Sequence, residues 1–327
     1  MPDIFTHVAN GKESIKRLNI MEDGYCIQPQ NIFFLGCMGP DIFLYHNFYP
    51  WKANRTVNEL GDEMHTKNCG DFIVSAFEYI KNEDLDEKEI LDDMRVLYFL
   101  GYICHYAADR IAHPFVFSRS GVYDENNPDT YKLKHAHKIM ELSIDYHLAR
   151  RLYGLDVNKV KMHELLDVGE TMPKGIVYIY RKILNGYFGN IVSKLSGDYI
   201  NESYRAIKSA WKIFYDPIFI KRYTMKVLGY GDYFYPTNPN LRDYMNEKGR
   251  DWPHPCDFRN TSREDFYTIF ERTVELAADM LKSAIDYLYK KRDINKFKES
   301  IGNFSFLTNT DISQNEQRMI CFNNIFD

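Results

Sequence analysis

The sequence lacks the marks of a membrane protein, a secreted protein and a nucleic-acid-binding protein. It has no run of the roughly 18 consecutive apolar residues that a membrane-spanning helix requires. No basic stretch followed by an apolar block opens the chain, so we see no signal peptide and expect a cytoplasmic location. The formal net charge is -5, whereas binding to a phosphate backbone normally uses a basic surface, so we expect no stable complex with nucleic acid.

Cysteine patterns are also missing. The six cysteines are scattered and form no C-x-x-C pair, so they match neither a cysteine-based zinc site nor a disulfide framework. In a chain of 327 residues we interpret them as reduced, mostly buried thiols. What the sequence does have is ordinary globular composition, 45% hydrophobic and 27% charged, which permits a sizeable core.

Helical periodicity dominates the chain, and alternating strand patterns are few. We therefore predict an all-α fold, a helical bundle-like domain over residues 1–300, followed by a C-terminal tail over residues 301–327. The tail is polar with scattered aromatic residues, so it is either a docked arm or partly disordered. Residues 28–53 are interpreted as an ordered loop and residues 229–257 as a long excursion between helices. The predicted helices are 58–81, 84–116, 132–153, 174–188, 199–215 and 262–291.

The sharpest chemical signal is a row of three polar residues in an otherwise apolar helix. His105, Asp109 and His113 are spaced i, i+4 and i+8, which places them on one face. An unpaired polar side chain in such a helix would be costly to bury. Neutral imidazole and carboxylate are preferred ligands of zinc, so a metal would remove that cost. The metal ligands are all expected within residues 1–153.

A second row repeats the pattern in the next predicted helix. His137, Glu141 and Asp145 are again spaced i, i+4 and i+8. Two helices that each present such a row can face each other and enclose metals in a bundle core. A single buried histidine is usually a hydrogen-bonded core residue, but two rows of this composition favour metal binding. Asp145 is interpreted as a carboxylate that orients a ligand histidine, or else as part of a solvated face.

Further candidate ligands lie upstream of these two rows. His65 is near a helix, Asp41 is in the ordered loop within Gly39-Pro40-Asp41, and His7 is near the start of the chain. Taken singly, each is more often structural or solvated than functional, because a loop aspartate commonly caps a helix or a turn.

Together, the ordered set of these residues resembles the zinc-dependent phospholipase C family of bacteria, whose helical fold and metal arrangement the fungal single-strand nucleases share. The resemblance covers roughly residues 1–153. It implies two or three zinc ions in up to three sites, with Asp109 bridging two of them. The first site would use Asp41, His65, His105 and Asp109, the second His113, His137 and Glu141, and the third His7 and Asp109.

The sequence departs from the family pattern at three points. The third site of the secreted members is completed by an N-terminal Trp, whereas this chain begins Met1-Pro2-Asp3. We expect the Pro2 nitrogen or the Asp3 carboxylate to take that role. The interval between Asp109 and His113 is shorter than in the secreted enzymes, although His113 stays in phase on the helix. No strand-rich lipid-binding domain follows, so we expect at most transient membrane contact.

The resemblance implies a zinc-dependent phosphodiester hydrolase of phospholipase C type, with a phospholipid or another phosphodiester as its substrate. Zinc would lower the pKa of a bound water and neutralise charge on the phosphate. Asp41 is the candidate general base, because it combines a ligand position with a loop location. Two alternatives stay open: a nuclease or small-phosphodiester hydrolase on the same metal site, and a zinc-binding protein without turnover. His254 is either a turn residue or part of a loop that closes over the site.

Overall fold

The computed structural model describes residues 3–21, 25–49, 51–83, 85–313 and 318–326. Over these ranges it confirms the all-α prediction, with fourteen α-helices and one small antiparallel sheet of strands β1 (Trp252–His254) and β2 (Asp257–Ser262). The helices are α1 (Ile4–Ile20), α2 (Asn31–Gly36), α3 (Asp41–Leu44), α4 (Thr56–Met64), α5 (Cys69–Lys81), α6 (Met94–Ser120), α7 (Ala136–Tyr153), α8 (Met162–Leu165), α9 (Lys174–Tyr187), α10 (Gly189–Val192), α11 (Tyr199–Phe214), α12 (Lys221–Val227), α13 (Phe266–Leu288) and α14 (Ile294–Ile301).

Helix α6 lies at the centre of the molecule and is buried along nearly its whole length. Helices α1, α2, α5, α7 and α13 pack around it. Helix α2 approaches especially closely, since a Cβ atom at Gly101 would lie 2.1 Å from the carbonyl oxygen of Phe33. Because α6 also carries the first polar row, this packing places that row in the core. Among the described residues, no helix is both long and apolar enough to cross a bilayer.

The ends of α6 differ from the predicted range 84–116. Asp93 caps the helix, because its carboxylate accepts hydrogen bonds from the backbone N–H groups of Arg95 (2.7 Å) and Val96 (3.4 Å). The acidic residues before it form a loop and a 3₁₀ turn over Ile90–Asp92, while Asp84 lies outside the described residues. At the other end, α6 continues past Pro114 to Ser120, because its buried packing offsets the one backbone hydrogen bond that proline removes.

The single helix predicted over residues 58–81 is two helices. Helix α4 ends at Met64 and α5 begins at Cys69, with Asn68 between them in the left-handed conformation at φ 52°. This break places His65 at the C-terminal end of α4, where its ring turns inward and is buried. The periodicity of the apolar residues continues across the break, so the sequence pattern could not reveal that the helix is interrupted.

Helices α1, α2 and α3 were not predicted. The latter two lie inside the predicted loop 28–53 and are short, with few residues to establish a period. Helix α1 was hidden because its buried face includes polar residues such as His7 and Asn10.

The segment after α14 is docked. Residues 302–313, here called the C-terminal arm, fold back on themselves through hydrogen bonds from Ser305 N to the Thr310 carbonyl (2.9 Å) and from Ile312 N to the Asn303 carbonyl (3.0 Å). Phe306 at the centre of the arm is fully buried. The arm therefore joins the helical core at the place where the polar residues gather.

Candidate metal centre

Four of the predicted ligands meet in the core. Asp41, His65, His105 and Asp109 each offer a donor atom, and these atoms all lie within 4.8 Å of one another. All four side chains are buried. We call this set the inner group. Its spacing is that of ligands around a single cation.

Three separate elements supply the inner group. His105 and Asp109 lie one turn apart on α6, with His105 Nε2 3.1 Å from Asp109 Oδ2. Asp41 is the first residue of α3, and His65 follows the last residue of α4. His65 Nε2 is 3.1 Å from Asp41 Oδ1 and 3.9 Å from Asp109 Oδ2.

Backbone carbonyls orient both histidines of the inner group. Nδ1 of His105 lies 3.0 Å from the carbonyl oxygen of Cys37, and Nδ1 of His65 lies 2.7 Å from that of Gly61. In each ring a donating Nδ1–H leaves Nε2 as the lone-pair atom that faces the other ligands. Gly39 makes room for this arrangement: it adopts φ +47°, and a Cβ atom there would lie 2.3 Å from the ring of His105.

The remaining predicted ligands of the two rows form a second set. Donor atoms of His113, His137 and Glu141 also lie within 4.8 Å of one another, and we call these residues the cleft group. His113 is one turn beyond Asp109 on α6, and the other two lie on α7. His137 Nε2 is 2.8 Å from Glu141 Oε1, and the rings of His113 and His137 are 5.8 Å apart.

His7 packs beside two members of the inner group, and one of them, Asp109, also approaches the cleft group. His7 Nε2 is 3.3 Å from Asp109 Oδ1, and the His7 ring stacks on that of His105 at 4.2 Å. Asp109 Oδ2 is also 3.9 Å from His113 Nδ1. Of the two predicted N-terminal ligands, Pro2 lies outside the described residues. The Asp3 carboxylate caps α1 and lies 2.7 Å from Lys138 Nζ, so it is engaged in an ion pair.

A metal fits these residues on a physical criterion. Among the described residues, six buried nitrogen and oxygen atoms of this cluster, all able to bind a metal, make no hydrogen bond. Leaving a buried carboxylate with neither oxygen bonded is expensive, and bound cations remove that cost. The set contains His, Asp and Glu but no Cys, which is typical of an open catalytic zinc site. The six atoms are both ring nitrogens of His7, both oxygens of Asp109, and Nε2 of His105 and His113.

The electrostatics keep these side chains in the forms that bind metals. Burial lowers the pKa of His113 to about 3, so its imidazole is neutral at ordinary pH. Burial alone would raise the pKa of Asp109, but His105, His113 and His7 beside it hold it well below its usual value. In Asp41 burial is likewise outweighed by His105 and His65, so its pKa is lowered. Asp41 is therefore a carboxylate of low basicity.

A cleft of about 920 Å³ opens onto the site. His65 of the inner group and all three members of the cleft group line it, together with the cations Arg55, Lys67, Lys134 and Lys138. Six aromatic residues also line it: Tyr45, Phe48, Phe117, Phe214, Tyr230 and Tyr233. Asp62 and Glu63 line the cleft too, and Glu63 pairs with Lys67 at 2.9 Å. The cleft thus combines candidate metal ligands, charges of both signs and apolar surface, which suits an amphipathic ligand with a charged head.

Sequence reasoning missed two residues of the site. Lys138 lines the cleft. Burial alone would lower the pKa of its ammonium group, but the neighbouring Asp3 carboxylate outweighs burial and raises that pKa. Phe306 of the C-terminal arm accepts a hydrogen bond from His113 Nδ1 at 2.8 Å, donates one from its N–H to the His65 carbonyl at 3.0 Å, and packs its ring on His65. Lys138 lies between two predicted ligands in sequence, which is a weak signal, and Phe306 has no sequence signal.

Two other predicted roles take a specific form. Asp145 accepts hydrogen bonds from the backbone N–H groups of Phe5 (3.0 Å) and Thr6 (2.9 Å) and from the Tyr235 hydroxyl (3.0 Å). None of these donors is a ligand histidine, so the prediction that Asp145 orients one is wrong, and so is the alternative of a solvated face, because the side chain is buried. Asp145 instead anchors the start of α1, the helix that carries His7. His254 lies in the sheet, with Nε2 2.9 Å from the carbonyl oxygen of Thr308, so it holds the C-terminal arm.

Comparison with known proteins identifies a family that this chain matches. A family model described as zinc-dependent phospholipase C matches residues 3–209, well over half of the chain and further than the resemblance to residues 1–153 had indicated. No curated protein and no solved structure matches the chain. The matching range contains His7, the inner group and the cleft group, and it ends before the C-terminal arm.

Proposed function

The chain belongs to the zinc-dependent phospholipase C family, and on that premise we propose that it is a zinc-dependent hydrolase of a phospholipid or a related phosphodiester. The observation that carries the proposal is the meeting of two His/carboxylate groups at one cleft. Structural zinc sites are usually closed and rich in Cys, and these residues do not form such a site.

The inner group would hold one zinc ion and the cleft group a second. His7 and Asp109 would contribute to a third ion, with Asp109 bridging, so the protein would bind two or three ions. When bound, zinc supplies a water of lowered pKa and neutralises charge that develops on the phosphate oxygens.

The chain's own residues have separate tasks. Lys138, held by Asp3 on the cleft wall, would bind a phosphate oxygen through its ammonium group. The aromatic residues of the cleft would bind the apolar part of the substrate and exclude water from it. Asp41 would act first as a ligand. Its additional role as general base remains part of the proposal, although a carboxyl of lowered pKa is a weak base.

One assay separates the proposed activity from its alternatives. Zinc content is measured by elemental analysis, and the zinc-loaded protein is then tested on a phospholipid, an oligonucleotide and a water-soluble aryl phosphodiester. We expect turnover of the phospholipid and of the aryl phosphodiester. Turnover of the oligonucleotide alone would replace the proposal with a nuclease, for which the cations of the cleft would be the substrate contacts. Full zinc content with no turnover on any substrate would leave a zinc-binding protein.

A further inference from the structure

An unusual concentration of exposed apolar side chains lies on one part of the surface. Five of them fall within residues 218–228, and a sixth, Trp51, stacks on Tyr49, whose side chain faces α12. We call these six residues the apolar patch. Single exposed apolar residues are ordinary, but several large ones gathered on one helix and the loop beside it mark a binding surface. The six and their exposed fractions are Trp51 72%, Ile218 71%, Ile220 60%, Tyr223 71%, Val227 87% and Leu228 61%.

Helix α12 turns its apolar residues outward. Tyr223 and Val227 are four residues apart, hence on one face, and both point to solvent. The inward side carries Arg222, whose guanidinium donates to the Asp216 carboxylate at 3.0 Å and to the Tyr235 carbonyl at 3.0 Å. A surface helix normally has the opposite arrangement, with polar residues outward. The burial of a cation while apolar residues remain exposed indicates a face that meets something apolar.

The apolar patch is continuous with the wall of the cleft. Tyr230 lies three residues beyond the end of α12, lines the cleft, and donates a hydrogen bond from its hydroxyl to the carbonyl of Phe48 at 2.9 Å. Phe48 lines the cleft as well, and the next aromatic residue, Tyr49, stacks on Trp51 at 4.8 Å. Tyr49 and α12 also face each other across a shallow hollow of about 420 Å³.

The charges around the apolar patch indicate what kind of partner it binds. The exposed lysines Lys52, Lys212, Lys221 and Lys226 lie in or beside the patch, and residues 217–231 contain no Asp or Glu. This local excess of positive charge occurs in a chain whose net charge is -5. Large apolar side chains interspersed with lysines are the composition that binds the interface of an anionic bilayer.

We infer that the apolar patch docks the protein onto an anionic phospholipid surface and thereby brings the mouth of the cleft to the bilayer. Trp51, Tyr223 and Val227 would enter the interfacial region while the lysines contact headgroup phosphates. The contact would be peripheral and reversible, since it uses a few side chains of one short helix and one loop. As an account of substrate capture the inference rests on the proposed function, but binding itself can be measured without turnover.

The tryptophans provide a direct probe of this contact. Trp51 is exposed, whereas Trp211 and Trp252 are buried, at 3% and 6% exposure. Full-length zinc-loaded protein is titrated with vesicles of phosphatidylcholine and phosphatidylglycerol that carry bromine on the acyl chains, before measurable hydrolysis. We expect quenching of the Trp51 fluorescence, stronger with the anionic mixture than with phosphatidylcholine alone, and absent in Trp51→Phe.

A double substitution tests the helix face. Tyr223→Glu with Val227→Glu should weaken vesicle binding about 10- to 100-fold, the loss expected when two interfacial apolar contacts are replaced by charge. Zinc content and turnover of the water-soluble aryl phosphodiester should not change. The matched control, Tyr178→Glu with Ile320→Glu, alters two exposed apolar residues elsewhere and should leave vesicle binding as it is.

The outcomes separate this inference from the proposed function. Unchanged vesicle binding in the patch variant overturns the docking surface even if the enzyme hydrolyses phospholipid. Vesicle binding that depends on the patch, in a protein without any turnover, supports the surface and removes the proposed activity. If the unaltered chain sediments as a dimer and the patch variant as a monomer, the patch is covered by a second copy of this chain and the inference is wrong.

Discussion

The inner group and the cleft group are made from the same residue types but occupy different environments. All four members of the inner group are buried, and His105 and Asp109 have no exposed surface. In the cleft group His113 is fully buried too, but the His137 side chain is 31% exposed and all three residues line the cleft. Both groups take ligands from α6, one helical turn apart.

The difference indicates a division of tasks. A cation in the inner group would be enclosed by four ligands from three elements, and its loss would leave buried charge unpaired, so it would also stabilise the fold. A cation in the cleft group would be reached by water and substrate, and would exchange more readily. The two groups approach each other where Asp109 Oδ2 lies 3.9 Å from His113 Nδ1, and each group can lose its cation separately.

The largest effect is expected from His105→Ala. Removing this buried ligand should eliminate zinc from the inner group, destabilise the protein and lower turnover of the aryl phosphodiester by at least about 10²- to 10³-fold. Metal content and initial rates are the measurements. His46→Ala, which removes a largely buried histidine bonded to Glu202, is the control and should keep both. Retained zinc and activity in the His105 variant would show that the inner group is not the centre.

A smaller and more selective effect is expected from His137→Ala. Zinc should be lost from the cleft group while the inner group keeps its ion, because the inner ligands do not include α7. Activity should fall about 10²-fold, with less loss of thermal stability than in His105→Ala. Elemental analysis measures the zinc content of the variant, and a melting curve measures its thermal stability. Equal loss of all zinc in both variants would mean that the two groups behave as one cooperative site.

The next effect concerns Phe306, which contacts both groups. Phe306→Ala keeps the backbone carbonyl that orients His113 but removes the ring that packs on His65 and holds the C-terminal arm in place. We therefore expect zinc affinity to fall about 10- to 100-fold, as is usual when groups that orient ligands are disturbed. It should also cost about 3–5 kcal/mol of stability through the cavity left behind. Competition with a chelator measures the affinity, and Phe306→Leu should restore most of it.

Phe297→Ala is the matched control for Phe306. Phe297 is equally buried but packs on Phe77 and Tyr287, away from both groups. It should cause a similar loss of stability with unchanged zinc affinity. If both alanine variants lose zinc to the same extent, the C-terminal arm acts on overall stability and not on the ligands.

The smallest expected effect is a pH dependence of folding stability caused by Asp145, the residue that anchors the start of α1. Burial, reinforced by the neighbouring Asp3, raises the pKa of Asp145 to about 7, against an ordinary value of 3.8. The folded protein therefore holds a proton that the unfolded chain has released, and stability falls as pH rises from about 4 to about 7. Asp145→Asn removes this dependence, so its stability relative to the unaltered protein should increase across that window, as measured by urea unfolding.

Asp216 provides a control of opposite sign. Burial would raise its pKa, but the Arg222 guanidinium outweighs burial and lowers it. The stability it contributes is present above its ordinary value and lost in acid, so Asp216→Asn should be most destabilising above pH 4 or so. If both aspartate variants show the same trend with pH, the shifted pKa of Asp145 is not the cause.

Much of the candidate site followed from local spacing. The rows around His105 and His137 were visible because residues four apart on a helix must share a face, whatever surrounds the helix. The all-α class followed in the same way from the period of the apolar residues. The helix ends did not, since the acidic stretch before Asp93 has helical composition and only the cap decides where α6 begins.

Local spacing along the chain was therefore enough to predict the fold class, the ligand rows and a set of residue types suited to zinc, because these depend on neighbours within a few turns. Long-range packing ends α4 at Met64, which lets His65 turn inward, and brings the Phe306 carbonyl to His113. It also decided that α12 exposes its apolar face beside the cleft. The physical reason is that these features arise between segments far apart in the chain, where contact energies and not local periodicity select the arrangement.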